Sequence, residues 1–435
     1  MNNQQREITG WAMYDWANSA FSATVVTVLL GPYLTVLINN QLGGVLVVAG
    51  YGIEAEAFYP FCVSVSVILQ VILLPILGTL ADHTNLKKGL MMIFAYSGAT
   101  ATILLFFVQS SSILIGGLLF IIANLSFGAA IVFYNAFLPD IAPPAAQDSV
   151  SSKGFAYGYV GGGIVLALNM ALLLVMTDTA LAIRISLASA GLWWLVFTVL
   201  YPQRRLRQRK AAVSLPTGTN HLTYSFKVFL ATLKEMAQKY PLTLRYLIAY
   251  LIYNDGIQTV NTVGTIFAMV ELGVEPETLV GVVLMIQFVA APGAILFNRL
   301  AGRIGARYTV IITLAGWAGL LIWAFGFMHS PGQIWLWAFV QALILGSSQA
   351  LSRSMFSKMI PANQESAYFS LYEISERGTS WIGPIVFGLA VQVTGSSRSA
   401  LLPLIAFFVI GIVMLLFTNA RQAIWDAGNV VPAVV

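Results

Sequence analysis

Charged side chains are scarce in this chain, since only 9% of its 435 residues are Asp, Glu, Lys or Arg. Soluble domains carry about 25%, so the composition excludes an ordinary soluble fold. The lone Cys62 cannot form an intramolecular disulfide, and no zinc or redox motif surrounds it. The three histidines, His83, His221 and His329, fall in predicted loops. With no Walker motif either, the sequence predicts no metal site and no cofactor, and it argues against a membrane enzyme or an ATP-driven pump.

Hydrophobic residues make up 58% of the chain and are grouped in long runs. A membrane-spanning helix needs about 20 mostly apolar residues. The apolar runs therefore predict an all-α membrane protein with twelve transmembrane helices. The predicted spans are 11–38, 58–80, 89–109, 112–136, 153–177, 181–201, 241–270, 278–297, 308–328, 333–351, 366–393 and 400–419.

Basic residues collect in the loops on one side of these spans. That side holds Arg6, Lys87, Lys88, Lys153, the segment from Arg204 to Arg245, Arg299, Arg303, Arg307, Arg353, Lys358 and Arg421, and we call it the basic end. The opposite side holds only Arg184 and Arg398 among its basic residues. Loops rich in Lys and Arg stay in the cytoplasm, which predicts a multi-pass protein of the plasma (inner) membrane with both termini cytoplasmic. The net charge of +5 then reflects topology and contact with the lipid bilayer, and no nucleic-acid binding is predicted.

The longest predicted loop, 202–240, divides the chain into two sets of six spans. We expect an N-terminal six-helix bundle over 1–201, a cytoplasmic linker over 202–240 and a C-terminal six-helix bundle over 241–435. The linker ends in a segment with an apolar face (Phe226, Phe229, Leu230, Leu233 and Met236). This pattern favours an amphipathic helix at the inner membrane surface, and a soluble linker helix is the alternative.

The two halves show a weak internal repeat. Asp15 begins D-W-A-N-S in the first span and Asp255 begins D-G-I-Q-T in the seventh. The loop sequences GTLADHTNLKK (78–88) and NRLAGRIGARY (298–308) also align. Such duplication is typical of secondary transporters.

These residues resemble the major facilitator superfamily, whose members have two six-helix halves around a central cavity. The two loops resemble its G-x-L-A-D-x-x-G-R-R motif. The resemblance implies a gating role for Asp82 and Arg303, although Gly302 replaces the acid in the second copy. The segments W-A-M-Y-D-W-A-N-S-A-F (11–21), Y-N-D-G-I-Q-T (253–259) and S-E-R-G (375–378) resemble the branch of autophagy-linked vacuolar amino-acid effluxers and their bacterial relatives.

Acids and amides within the spans are the candidate site residues, because polar groups in a bilayer are costly and usually functional. Asp15 and Asn18 share one helical stripe with Ser19 and Ser22, and Asp255 and Gln258 repeat the arrangement with Thr259 and Thr262. In the family fold the first and seventh helices face each other, which implies that both stripes meet at the substrate. Hydrogen bonds between helices are the alternative reading for Asp15 and Asp255.

The eleventh span holds the densest polar cluster: Tyr372, Glu373, Glu376 and Arg377. Glu373 precedes Arg377 by four residues, the favourable order for a helical ion pair. A carboxyl group in an apolar setting resists ionisation, so we expect Glu376 to carry a proton. A purely structural ion pair is the alternative for Glu373 and Arg377.

The function predicted from these features is secondary active transport of a small solute by proton-coupled alternating access, in a protein that is expected to be a monomer. Acidic groups with one arginine suit a zwitterion, and the resemblance implies amino acids. Two alternatives stay open: an exporter of amphiphilic or drug-like compounds, and an uncoupled facilitator.

Overall fold

The computed structural model describes residues 3–48, 50–210, 221–377 and 382–435. Within these ranges the regular secondary structure is helical apart from one hairpin, which confirms the predicted all-α class. The hairpin was not predicted. Its strands, β1 (Val45–Val48) and β2 (Tyr51–Glu54), pair antiparallel with Val45 opposite Glu54.

Nine helices lie in the described part of residues 3–210: α1 (Asn3–Ala20), α2 (Leu30–Leu42), α3 (Ala55–Asp82), α4 (Lys87–Leu104), α5 (Ile113–Ala136), α6 (Leu138–Ile141), α7 (Gln147–Val175), α8 (Thr179–Leu200) and α9 (Pro202–Arg205). A π-helical segment, Phe21–Leu29, joins α1 to α2. Short 3-10 turns, Leu105–Phe107 and Ser110–Ser112, separate α4 from α5.

Another nine helices lie in the described part of residues 221–435: α10 (His221–Lys239), α11 (Pro241–Leu272), α12 (Pro276–Ile304), α13 (Ala306–Phe327), α14 (Gln333–Lys358), α15 (Glu365–Arg377), α16 (Ile382–Thr394), α17 (Ile405–Phe417) and α18 (Ala420–Asp426). A 3-10 turn, Ser399–Leu404, precedes α17.

Ten helical stretches among the described residues are long and apolar enough to cross a membrane. They correspond to ten of the twelve predicted spans. The seventh predicted span is α11, a 32-residue helix whose middle is rich in amide and hydroxyl groups that lower its mean hydropathy. The eleventh corresponds to α15 and α16, which flank residues 378–381 outside the described ranges.

The first and seventh spans end in the same way. α2 is followed by Gly43 with φ 66°, and α11 is followed by Gly273 with φ 64°. Glycine adopts this left-handed conformation without a Cβ clash and so terminates helices readily. At the C-terminal ends of α2 and α11 the chain therefore turns through a glycine in the same left-handed conformation.

Hydrophobic side chains form two large buried clusters. One joins residues between Trp11 and Leu206, and the other joins Ala136 to residues between Met236 and Ile424. Helices α7 and α12, α7 and α14, and α3 and α15 bring the two clusters into contact.

Asp82, the last residue of α3, joins the two clusters at the basic end. Its Oδ1 accepts a hydrogen bond from the Ser366 N–H at 2.9 Å, and its Oδ2 accepts one from the Ala367 N–H at 2.8 Å. Both N–H groups lie in the first turn of α15, where a helix offers them no acceptor. The Asp82 carboxylate therefore caps α15.

Buried lysines reinforce this end. Lys87 Nζ lies 3.3 Å from Asp140 Oδ2 and 3.8 Å from Glu365 Oε2. Lys358 Nζ lies 2.6 Å from Asp148 Oδ1. These ion pairs compensate for removing the charges from water.

The prediction that Arg353 and Lys358 lie in a loop is wrong. α14 continues to Lys358, seven residues past the predicted end of the span at 351, and the two residues are only 4% and 2% exposed. A hydropathy window ends a span where polar residues accumulate. A helix continues through such residues when neighbouring helices provide their partners.

The predicted linker segment forms α10, which contacts α3 and α11. Met236 is fully buried, whereas Phe226 and Leu230 remain 49% exposed. Residues 211–220 of the linker lie outside the described ranges.

We predict that Asp82→Ala loosens the basic end, because two helix-terminal N–H groups lose their acceptor. The expected cost is about 1–3 kcal/mol. The readout is the rate at which a thiol reagent modifies Ser357→Cys, at a position that is 1% exposed, in a Cys62→Ser background. Asp426→Ala, which removes an exposed carboxylate, is the control and should leave the rate unchanged. Equal rates in the two variants contradict the prediction.

Candidate functional site

A cavity of about 770 Å³ lies between the two hydrophobic clusters. It runs from Asp15 and Arg353 near the basic end toward Thr27, Thr265 and Leu279 near the opposite end. The contacts of Asp82, Lys87 and Lys358 close the basic end beneath it, so the cavity has a floor there.

The first span presents the predicted stripe to this cavity. Asp15, Asn18, Ser19 and Ser22 all line it. Close packing with α7 fixes the orientation of α1, since a Cβ at Gly158 would lie 2.7 Å from Ser19 Oγ.

The seventh span is turned relative to the prediction. Gln258 lines the cavity together with Asn261, Thr262 and Thr265, which share one helical face. Asp255 does not line the cavity, and its Oδ2 accepts a hydrogen bond from the Gly383 N–H of α16 at 2.8 Å. The sequence repeat aligns Asp255 with Asp15, whereas packing against α16 gives Asp255 a different environment.

Helix α15, at the start of the predicted eleventh span, contributes Tyr372, Glu373 and Glu376 to the cavity wall. Glu373 is fully buried, and its Oε1 accepts a hydrogen bond from Asn135 Nδ2 at 3.0 Å. Glu376 is partly buried and interacts electrostatically with Arg353 and Tyr372. The side chain of Arg377 lies outside the description, so its predicted pairing with Glu373 stays a prediction.

Arg353 lines the cavity and is a candidate site residue that the sequence pattern did not predict. Its Nε donates to Ser151 Oγ at 2.9 Å, its Nη2 to the Ser151 carbonyl at 3.0 Å and its Nη1 to Asn135 Oδ1 at 3.3 Å. Both Nη atoms lie 3.5 Å from Asp15 Oδ2. A signal was present: the run GSSQALSRS (346–354) consists largely of small residues, as expected for a closely packed helix rather than a loop.

These contacts form a continuous network across the cavity floor. We call the connected side chains the floor network; they are Asp15, Tyr134, Asn135, Ser151, Arg353 and Glu373. Asn135 joins its acidic and basic members, because it accepts from Arg353 and donates to Glu373. The contacts that Arg353 and Glu373 make with Asp15, Asn135 and Ser151 cross between the two halves of the chain, so separation of the halves must break them.

Neutral polar groups line the cavity above the floor. Gln341 Nε2 donates to Asn261 Oδ1 at 2.7 Å, and Tyr159 OH donates to Gln349 Oε1 at 2.9 Å. Among the described residues, Asn18 Nδ2 is buried without a hydrogen-bond partner. A buried donor on a cavity wall favours a polar ligand.

The two predicted gate residues differ. Asp82 makes the contacts described above, whereas Arg303 is exposed at the end of α12. Gly302, which replaces the acid of the motif, has open space where a side chain would be. The second copy of the motif therefore lacks the junction that the first copy forms.

The sequence model of the family described as "Vacuole effluxer Atg22 like" matches residues 3–428. The chain belongs to this family. It is 31% identical over 426 residues to the "Uncharacterized MFS-type transporter YxiO" of Bacillus subtilis (strain 168), with 96% of each chain covered. It is 25% identical to "Autophagy-related protein 22" of Neurospora crassa, over 91% of this chain and 68% of the relative. The predicted resemblance is confirmed.

Solved structures of major facilitator transporters share the fold. The E. coli fucose:proton symporter FucP matches with a TM-score of 0.69 at 14% identity, over 96% of this chain and 98% of that chain. The human organic anion transporter MFSD10 matches with a TM-score of 0.67 at 14% identity, over 95% of this chain and 100% of that chain. This Atg22-like protein is a multi-pass membrane transporter of the major facilitator superfamily.

We predict that Gly154→Ala disrupts the floor of this Atg22-like transporter without changing any charge. A Cβ at Gly154 would lie 2.6 Å from Asp15 Oδ2 and 2.9 Å from the Trp11 ring, so these groups must shift. Overpacking of this kind costs about 1–3 kcal/mol. The temperature of thermal unfolding and the rate of solute uptake should both be lower than in the wild type.

Gly319→Ala is the matched control, because this glycine lies within α13 and has open space around its Cβ position. It should unfold and transport like the wild type. If Gly154→Ala also behaves like the wild type, the close packing at the floor has no role in function.

Proposed function

We propose that this transporter moves a small zwitterionic solute of the amino-acid class by proton-coupled alternating access. The observation that carries the proposal is the floor network, in which side chains of opposite charge from both halves meet at the closed end of the cavity. A zwitterion presents both charges to such a site.

Each charge of a zwitterion has a matching group. Arg353 offers a cation to the solute carboxylate, and Asp15, Glu373 and Glu376 offer acceptors to its ammonium group. The separation of 3.5 Å between Arg353 and Asp15 exceeds the about 2.7–2.9 Å of a charge-assisted hydrogen bond. The resident pair is therefore loose enough to exchange partners with a ligand.

Proton coupling is proposed for the carboxyl groups of the wall. Glu376 contributes to the cavity surface and interacts electrostatically with Arg353, Tyr159 and Tyr372. Protonation of Glu376 changes the charge next to the floor network without breaking the hydrogen bonds of that network. Since a proton can enter through the same cavity as the solute, the two can move together.

The moving parts in this proposal are two six-helix bundles, 1–201 and 241–435, joined by the linker 202–240. The two hydrophobic clusters support this division. We assign the basic end to the cytoplasm and the membrane to the plasma membrane, following the distribution of Lys and Arg. Opening of the basic end then requires Asp82 to separate from the first turn of α15 and Lys358 to separate from Asp148.

Asp255 has a structural part in this proposal. It lies off the cavity wall and accepts the Gly383 N–H, so it positions α16 rather than binding the solute.

We predict that Glu376→Gln separates exchange from coupled uptake. In proteoliposomes, wild-type protein should accumulate labelled amino acids when a pH gradient is imposed. Glu376→Gln should lower this accumulation at least tenfold, because glutamine cannot carry the proton. Exchange of labelled for unlabelled solute at equal pH should persist, since the protein can shuttle without a proton.

Two variants serve as controls for this experiment. Glu235→Gln changes an acid of α10 outside the cavity, and Asp255→Asn keeps an oxygen for the Gly383 N–H; both should retain accumulation. Gradient-driven uptake by Glu376→Gln at the wild-type rate contradicts the coupling role. If wild-type uptake does not depend on the pH gradient, the uncoupled facilitator is favoured. If the protein takes up lipophilic cations but no amino acids, the exporter of amphiphilic compounds is favoured.

A further inference from the structure

The guanidinium group of Arg353 lies among three aromatic rings. Its Cζ is 4.3 Å from the ring centroid of Phe155, 4.8 Å from that of Trp11 and 5.4 Å from that of Tyr134. All three distances fall within the about 6 Å over which a cation is attracted to a ring face. Arg353 is only 4% exposed, so little water competes with these contacts.

The aromatic rings and the hydrogen-bond acceptors around Arg353 come from the other half of the chain, whereas Tyr372 and Glu376 of its own half interact with it electrostatically. We call Trp11, Asp15, Tyr134, Ser151 and Phe155 the cage; together they supply three ring faces, a carboxylate, a carbonyl and a hydroxyl. They lie on α1, α5 and α7, whereas Arg353 lies on α14. One half thus carries a complete guanidinium site, and the other half supplies the occupant.

The cage is held together by bonds that do not involve Arg353. Trp11 Nε1 donates to the Tyr134 carbonyl at 2.7 Å, and the two rings stack with centroids 4.3 Å apart. Tyr134 OH donates to Asp15 Oδ2 at 2.7 Å. A site that is organised in this way keeps its shape when its occupant leaves, which lowers the cost of binding a new one.

Under the alternating access proposed above, the occupant must leave during transport, because opening of the basic end would separate α14 from α7 and withdraw the Arg353 side chain from Ser151 and Asp15. The vacated site retains a buried carboxylate flanked by aromatic faces, and a buried charge without a partner is costly. Because Asp15 and Phe155 also line the cavity, a solute in the cavity reaches this site.

We propose that the cage is a binding site for a guanidinium group, which Arg353 fills while the basic end is closed and which a guanidinium-bearing solute fills when Arg353 withdraws. This inference rests on the proposed alternating access and narrows its solute class to guanidinium-bearing amino acids or amines. A planar guanidinium suits the site better than an ammonium, because it stacks on rings while its edge donates to Ser151 and Asn135, as Arg353 does.

The first test removes the tethered occupant. Purified Arg353→Ala protein is heated with methylguanidine or with its uncharged isostere methylurea, at equal millimolar concentration and ionic strength. We expect methylguanidine to raise the unfolding temperature with an apparent affinity at least tenfold above that of methylurea. The double variant Asp15→Asn with Arg353→Ala should lose this preference.

Arg398→Ala is the matched control. Arg398 also pairs with an acid, Glu271, and lies 5.5 Å from the ring centroid of Phe267, but it is remote from the cavity wall. Its removal should create no preference for methylguanidine. The inference is overturned if Arg353→Ala responds equally to both compounds or if Arg398→Ala shows the same preference.

A second test uses the wild-type protein and so does not depend on the stability of a variant. Proteoliposomes are compared for uptake of labelled arginine and of citrulline, which replaces the guanidinium with a neutral urea group. We expect arginine uptake to exceed citrulline uptake at least tenfold. Equal uptake, or uptake of citrulline and leucine without arginine, overturns this inference while leaving the proposed amino-acid transport intact. Uptake of none of the three overturns both.

Discussion

The burial of the Arg353 guanidinium is the constraint around which the two halves of the chain meet at the cavity floor. A buried guanidinium is tolerated only when carboxylate, carbonyl and ring groups replace its water, and here these groups come from helices of the other half of the chain. The requirement explains why α1, α5 and α7 converge on one point of α14. It also explains why the cavity ends there, since the groups that satisfy Arg353 fill the space between the halves.

The sequence repeat and the structure differ in an instructive way. Asp15 and Asp255 occupy equivalent positions in the two halves, yet Asp15 lies in the cavity and Asp255 holds the start of α16. The two copies of the loop motif also diverge, because Asp82 caps α15 while Arg303 is exposed. The repeat in sequence therefore does not extend to the contacts, because residues at equivalent positions of the two halves have different partners.

Much of the fold could be predicted from sequence because the bilayer imposes simple length and hydropathy requirements. The stripe of Asp15 and Asn18 was predicted to face the site, and both residues line the cavity. Arg353 could not be placed in the same way. Its environment is set by Ser151 and Tyr134, which are about 200 residues away in sequence, and hydropathy alone reads an arginine near the end of a span as a loop residue. The rotation of α11 that turns Asp255 from the cavity likewise depends on packing against α16.

The most direct test of this account is the distance between the two halves at the basic end. Spin labels at Arg204→Cys and Arg303→Cys, both exposed positions, in a Cys62→Ser background report this distance by pulsed electron resonance. We expect a short-distance population in the wild-type protein and a clear shift toward longer distances in Arg353→Ala. Identical distance distributions in the two proteins would contradict the claim that the contacts of Arg353 hold the two halves together at the cavity floor.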